Sequence, residues 1–135
     1  MNAKIFFDTN VILYSYSILT DSRNTIAKQL ISNNHGHIST QVMQEVCNIL
    51  IKKFKLDEIS ISKAINEIND NFNVLINNVD TVKDALNIHF KYSYSYYDSL
   101  IIASALQNQC SILYSEDLHH NQKIYKSLTI INPFI

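Results

Sequence analysis

Ile5-Phe6-Phe7-Asp8 is a short apolar run that ends on an acid, a pattern typical of a buried β-strand. Further short strands are predicted at residues 37–39, 74–76, 112–114 and 128–131. Longer segments lie between them, with apolar residues at three- and four-residue steps that predict amphipathic helices. Short strands that alternate with longer helices predict an α/β domain, with a mainly parallel sheet and helices on both faces.

The predicted helices follow from the same periodicity and from residues that can cap a helix. Thr40 is predicted to cap one helix, and Asp57 to begin the next. The helix at residues 97–107 is apolar nearly all round, so we expect it to be central and buried. The other helices are predicted to begin near Asn10, Asp21 and Asp80.

Composition and charge exclude several classes of protein. The 135 residues suit one domain, and we find no repeat or linker that would divide residues 1–135. Eleven basic and twelve acidic residues leave a net charge of −1, so no strong field attracts nucleic acid or anionic membrane. No apolar run is long enough for a membrane span, and Cys47 and Cys110 have no CxxC partner. We therefore expect a cytoplasmic protein of a reducing compartment.

Four acids lie at positions that are unusual for a charged residue, at the ends of predicted strands or within apolar helices. Asp8 and Asp117 follow two predicted strands, and the carboxyl ends of parallel strands meet at one edge of a sheet. Glu45 and Asp98 lie in otherwise apolar helices, where an acid is costly unless something neutralises it.

Each acid alone also has an ordinary structural explanation. Asp8 can cap the following helix, Asp98 can meet the positive end of a helix dipole, and Glu45 can face solvent. All four together favour convergence on one divalent cation. Carboxylate oxygens select Mg²⁺ or Mn²⁺, and such a centre can activate water for attack on a phosphodiester.

Four sequence blocks, in order, carry a resemblance that covers nearly the whole chain. Residues 7–14 (Phe-Asp-Thr-Asn-Val-Ile-Leu-Tyr) resemble the opening of PIN-domain ribonucleases, especially the VapC-like toxins of prokaryotic toxin–antitoxin pairs. Residues 38–45, 96–105 and 115–118 resemble the second, third and fourth acidic blocks of that family. The resemblance implies a three-layer PIN-like domain.

The resemblance also implies roles for individual residues. Asp8 and Asp98 match the positions that hold the metal ion most directly, and Glu45 and Asp117 would complete the acidic cluster. Asn10 and Ser115 match neutral positions that orient ligands or waters. Glu116 beside Asp117 stays ambiguous, because a strand pleat would turn one of the pair inward and the other away; the motif favours Asp117.

The implied function is a Mg²⁺- or Mn²⁺-dependent endoribonuclease, the toxin of a type II toxin–antitoxin system. A homodimer and a small antitoxin protein are the implied partners, with RNA as the substrate. One alternative is a PIN-type RNase of RNA processing or decay without an antitoxin. A catalytically silent module that binds RNA or protein is another. A phosphatase with Asp8 as its nucleophile would want a second acid two residues on, where Asn10 stands.

Three minor features carry less weight. The adjacent His119 and His120 lack a further His or Cys partner, so a zinc site is not expected. Residues 91–97 (Lys-Tyr-Ser-Tyr-Ser-Tyr-Tyr) either stack on unpaired nucleotides or pack into a core or dimer seam. Asn121 stands where related toxins often carry Gly, and Asn is the next-best residue for a left-handed backbone.

Overall fold

The computed structural model describes residues 3–16 and 22–135. Within these ranges the chain forms six strands and six helices that alternate as the sequence predicts. In chain order they are β1 Ile5–Phe7, α1 Thr9–Ser15, α2 Ser22–Asn33, β2 His37–Ser39, α3 Thr40–Lys52, α4 Glu58–Asn71, β3 Asn73–Leu75, α5 Val79–Tyr92, α6 Tyr96–Gln107, β4 Ile112–Tyr114, β5 Lys123–Ile124 and β6 Leu128–Ile131.

The strands within the described ranges form one sheet with the order β3-β2-β1-β4-β6-β5. Strands β3, β2, β1, β4 and β6 run parallel, and β5 pairs antiparallel with β6. The mainly parallel α/β sheet and its three-layer architecture confirm the predicted fold class. The two-residue strand β5 was not predicted, because Lys123 and Ile124 are too few to give a periodic signal.

The core lies where parallel strands are covered on both faces. Phe6, Ile38, Leu113 and Ile130, one from each of four strands, are fully buried. Helix α6 buries six of its twelve residues and packs against α5, as expected for the predicted central helix. Among the described residues, no helix is both long enough and apolar enough to cross a membrane.

Most predicted boundaries agree with the structure, and one cap was wrong. Asp57 caps α4 through a bond from the Ser60 N–H, as expected. Ser39, not Thr40, caps α3, because Ser39 keeps an extended backbone at the end of β2 and its hydroxyl accepts from the Val42 N–H. Helix α2 is described from Ser22, and the predicted cap at Asp21 lies outside the described residues.

At two positions the backbone restricts which residue the chain can carry. A Cβ atom at Gly36 would lie 2.3 Å from Cε2 of Phe7, so only glycine lets the chain pass this ring. Asn121 has a φ of 68°, the left-handed conformation expected for it. Phe7 is therefore tightly enclosed directly before Asp8.

Candidate metal centre

Asp8 is fixed at the carboxyl end of the central strand. β1 and β4 are in register with Phe7 opposite Tyr114, so Asp8 and Ser115 leave the sheet side by side. The Ser115 hydroxyl donates to Oδ2 of Asp8 at 2.8 Å, and the Thr9 N–H donates to Oδ1 at 2.7 Å. Asp8 is thus the N-cap of α1 while its carboxylate also stands at the predicted edge.

The electrostatics of Asp8 show which other acids face it. Only 8% of Asp8 is exposed. Its pKa is raised from 3.8 to about 6, mainly by burial and to a lesser degree by the charges of Glu45 and Asp98, while the bonds from Ser115 and Thr9 lower it. Two of the other three predicted acids therefore lie close enough to Asp8 for their charges to act on it.

Glu45 is held by hydrogen bonds to both of its carboxylate oxygens. The Thr9 hydroxyl donates to Oε2 at 2.6 Å, and Nε2 of Gln41 donates to Oε1 at 2.9 Å. The same Gln41 nitrogen donates to the carbonyl oxygen of Tyr97 at 3.1 Å. Glu45 of α3 is thereby connected to α1 and, through Gln41, to the first turn of α6.

Asp98 lies in the first turn of α6, whose N-cap is Ser95. The Asp98 N–H donates to the Ser95 hydroxyl oxygen at 3.2 Å, and a negative side chain here is favoured by the helix dipole. The charge of Asp98 raises the pKa of both Asp8 and Asp117, so it faces both carboxylates. The helix-terminus explanation and the proximity to other acids therefore both hold for Asp98.

Asp117 and Glu116 make different contacts. Nδ2 of Asn10 donates to Oδ2 of Asp117 at 2.5 Å. Burial raises the pKa of Asp117, as do the nearby charges of Glu116 and Asp98. Because β4 ends at Tyr114, both residues lie in a loop, and the pleat argument does not apply to them.

The Glu116 carboxylate contacts the side chains of Arg23 and Tyr14. The Tyr14 hydroxyl donates to Oε1 at 2.6 Å, and Nη1 of Arg23 lies 3.2 Å from Oε2. The guanidinium also stacks over the Tyr14 ring, 4.4 Å from its centroid. Burial and the bond to Glu116 raise the pKa of Tyr14 to about 12, so its hydroxyl keeps the proton that it donates.

The donor atoms at this edge fit a hard divalent cation. They are carboxylate, hydroxyl and amide oxygens, which suit Mg²⁺ or Mn²⁺. A cation would also favour the ionised form of Asp8, whose pKa is raised mainly by burial and further by the charges of Glu45 and Asp98. Among residues 3–16 and 22–135, no three acidic, His or Cys side chains are already close enough together to hold an ion.

Two residues of this site, Thr9 and Gln41, were not predicted from the sequence. Gln41 precedes Glu45 by four residues on α3, so the two share one helix face, and this spacing was the available signal. Thr9 follows Asp8 directly and gave no signal of its own. Asn10 and Ser115, which the sequence did single out, donate hydrogen bonds to Asp117 and Asp8.

Comparisons with known proteins agree with this architecture. The PIN domain family matches residues 5–123. The fold is similar to a toxin–antitoxin complex from Klebsiella pneumoniae, with a TM-score of 0.74 and 19% identity over 97% of this chain and 98% of that one.

Two further structures have the same fold. VapC20 of Mycobacterium tuberculosis, a sarcin–ricin loop cleaving toxin, has a TM-score of 0.68 and 19% identity over 84% of this chain and 90% of its own. VapBC2 from Rickettsia felis, bound to a DNA fragment from its promoter, has a TM-score of 0.64 and 15% identity over 93% and 96%. No curated protein matches the chain.

Proposed function

This chain belongs to the PIN domain family, and we therefore propose that it is a metal-dependent endoribonuclease that hydrolyses RNA phosphodiester bonds. One observation carries the proposal: the carboxylate of Asp8 is buried at the carboxyl end of the central strand, where burial and, to a lesser degree, the charges of Glu45 and Asp98 raise its pKa. An arrangement of like charges in a buried place is costly without a cation, and it is characteristic of a functional site.

The proposed ligands are Asp8 and Asp98, with Glu45 and Asp117 completing the acidic cluster. A bound Mg²⁺ or Mn²⁺ would supply an activated water and neutralise charge on the phosphate. Neighbouring residues would orient these acids through hydrogen bonds. Ser115 and Thr9 donate to the Asp8 carboxylate. Gln41 donates to Glu45, and Asn10 donates to Asp117. Such supporting bonds fix the geometry of ligand carboxylates.

We further propose that the chain is the toxin of a toxin–antitoxin pair, active in the cytoplasm as a homodimer and inhibited by a small antitoxin. Structures with this fold include a toxin–antitoxin complex from Klebsiella pneumoniae and VapBC2 of Rickettsia felis. Two groups of exposed apolar side chains also favour protein partners. They are Val79, Val82, Leu86 and Phe90 on α5, and Ile51, Phe54, Leu56 and Ile59 around the α3–α4 connection.

The direct test is cleavage of a mixture of structured RNAs by the purified protein in Mg²⁺ or Mn²⁺, with and without chelator. The Asp8→Asn variant, purified in parallel, controls for a contaminating RNase. Cleavage by the wild type alone, abolished by chelator, is the expected result. RNA binding without cleavage would instead support the catalytically silent module.

A second experiment separates the toxin from an RNase of RNA processing or decay. Induced expression should arrest growth, and both the Asp8→Asn change and co-expression of the small protein encoded beside this gene should relieve the arrest. Harmless expression of an enzyme that is active in vitro would contradict the toxin assignment and favour the processing enzyme.

A further inference from the structure

The tyrosines of residues 91–97 fall into two groups in the structure. Tyr94 is 7% exposed, and its hydroxyl bonds to Gln122 and to the His119 N–H. Tyr92 and Tyr96 are half-buried and pack against the core. Tyr97 is 69% exposed, and its hydroxyl has no hydrogen bond within the described residues. Packing into the core therefore explains three of these tyrosines, whereas the ring of Tyr97 lies mostly in solvent.

The backbone of Tyr97 is attached to the acidic cluster. Its carbonyl oxygen accepts from the Gln41 nitrogen that also donates to Glu45, at 3.1 and 2.9 Å. The next residue is Asp98, whose charge reaches Asp8 and Asp117. The Tyr96 ring meets the Tyr97 ring edge to face, with the centroids 5.6 Å apart. Tyr97 is thus an exposed aromatic residue held at the rim of the site.

The charge of the protein restricts how it can hold RNA. A net charge of −1 and a cluster of acids provide no general attraction for a phosphate backbone. A metal ion and contacts that do not depend on charge would then supply a large part of the affinity. Stacking of a base on an aromatic ring is such a contact, and it is available to nucleotides that are unpaired.

We propose that Tyr97 is a nucleobase-binding residue, whose ring stacks on an unpaired base of the RNA next to the phosphate bound at the acidic cluster. This inference rests on the proposed ribonuclease function. It makes an unpaired base beside the cleaved bond a requirement for efficient cleavage.

The test uses the purified full chain and an RNA oligonucleotide that the wild type cleaves. Tyr97→Ala should raise KM about tenfold with little change in kcat, since base–aromatic stacking is worth about 1–3 kcal/mol. Tyr97→Phe and Tyr97→Trp should restore KM, because each keeps an aromatic ring. Tyr125→Ala, which removes an exposed aromatic ring from the turn between β5 and β6, is the matched control and should leave KM unchanged.

A substrate change identifies the contact itself. Each base beside the cleaved bond is replaced in turn by an abasic ribose, and one such change should raise the wild-type KM as much as Tyr97→Ala does. The same abasic RNA should then be cleaved equally well by the wild type and by the Tyr97→Ala variant, because both have lost the same interaction. An independent loss from the two changes would overturn the proposal.

A binding measurement keeps this inference separate from the proposed function. Short oligoadenylate is titrated by fluorescence anisotropy into the Asp8→Asn protein with and without Tyr97→Ala. The second change should weaken binding about tenfold. If the wild type cleaves no RNA, the proposed function fails, while this measurement still decides the stacking. Equal affinity of the two proteins would show that Tyr97 does not bind a base. It would favour contact of the exposed ring with a protein partner instead.

Discussion

The hydroxyl of Ser115 lies 2.8 Å from Oδ2 of Asp8 and donates a hydrogen bond to it. The bond joins the loop after β4 to the end of the central strand β1, across two strands that are neighbours in the sheet. It orients a buried carboxylate whose pKa is raised to about 6. The fold therefore places an acid where its negative charge is unfavourable in the absence of a cation.

Asp8→Asn and Asp98→Asn should each abolish RNA cleavage and leave the fold intact. Each substitution is nearly isosteric and removes a negative charge that the metal ion needs. Cleavage of structured RNAs in Mg²⁺ or Mn²⁺ measures the effect, and circular dichroism checks the fold. Asp70→Asn, at an exposed acid of α4, is the matched control and should cleave like the wild type. Full activity of both site variants would contradict the acidic-cluster hypothesis.

Glu116→Gln and Asp117→Asn should have different effects, although the residues are adjacent. Glu116 bonds to Tyr14 and Arg23, whereas Asp117 bonds to Asn10 and feels the charge of Asp98. We expect Asp117→Asn to lower kcat by about 10–100-fold, and Glu116→Gln to keep kcat within a few-fold of the wild type.

The two carboxylates are compared by steady-state kinetics at saturating metal. Glu116→Gln should instead weaken the link from α1 and α2 to the loop after β4, which a lower melting temperature would report. The reverse order of kcat values would assign Glu116, not Asp117, to the cluster.

The fold was predictable because its elements are local patterns. Five of the strands are short runs bounded by turns, and the helices carry clear periodicity or a capping residue such as Asp57. β5 was not predicted because it is defined by its pairing with β6, and no local sequence pattern indicates that pairing. The cap at Ser39 was assigned one residue late, since Ser39 and Thr40 are equally good capping residues and only the end of β2 decides between them.

The four acids of the candidate site were predictable, because acids at the ends of strands and within apolar helices are unusual in a sequence. Its supporting bonds were not, because Thr9 reaches Glu45 across 36 positions of sequence and Gln41 reaches the Tyr97 carbonyl across 56. Such contacts depend on how α1, α3 and α6 pack at one edge of the sheet. The separate environments of Glu116 and Asp117 likewise required the positions of Tyr14 and Arg23.

Gln41→Ala should lower kcat or metal affinity by about 10–100-fold, the usual cost of losing a residue that orients a metal ligand. The substitution removes both the bond to Glu45 and the bond to the Tyr97 carbonyl oxygen. Metal titrations of the cleavage rate measure the change. Gln44→Ala, at an exposed position of the same helix, is the matched control. Identical metal titrations for the two variants would exclude an orienting role for Gln41.

The stability of the metal-free protein should fall as pH rises from about 4 to about 6. The pKa of Asp8 is raised from 3.8 to about 6, so the folded state binds more protons than the unfolded state across this window. The associated loss is about 3 kcal/mol, and Asp117 acts with the same sign. Urea unfolding in chelator, over a series of pH values, measures the free energy of unfolding.

The matched comparison for this pH dependence is Asp8→Asn, which has no proton to lose at that position. Its stability should exceed that of the wild type above about pH 6, and the difference should shrink as the pH falls to 4. Asp70→Asn should follow the wild type at every pH. If the free energy of unfolding depends on pH in the same way for the wild type and for Asp8→Asn, the burial of Asp8 and the charges near it do not destabilise the folded protein.

Divalent metal should recover the stability that the empty cluster loses. An ion that binds only the folded state stabilises it by about 2.7 kcal/mol at a hundredfold excess over Kd. Protons compete with the ion for Asp8, so the stabilisation should be larger above about pH 6 than below it. Asp8→Asn and Asp98→Asn should melt at nearly the same temperature with Mg²⁺ or Mn²⁺ as with chelator, since each lacks one ligand. Thermal melting of the three proteins in both conditions measures this, and a metal shift of equal size in all three would mean that these carboxylates do not share an ion.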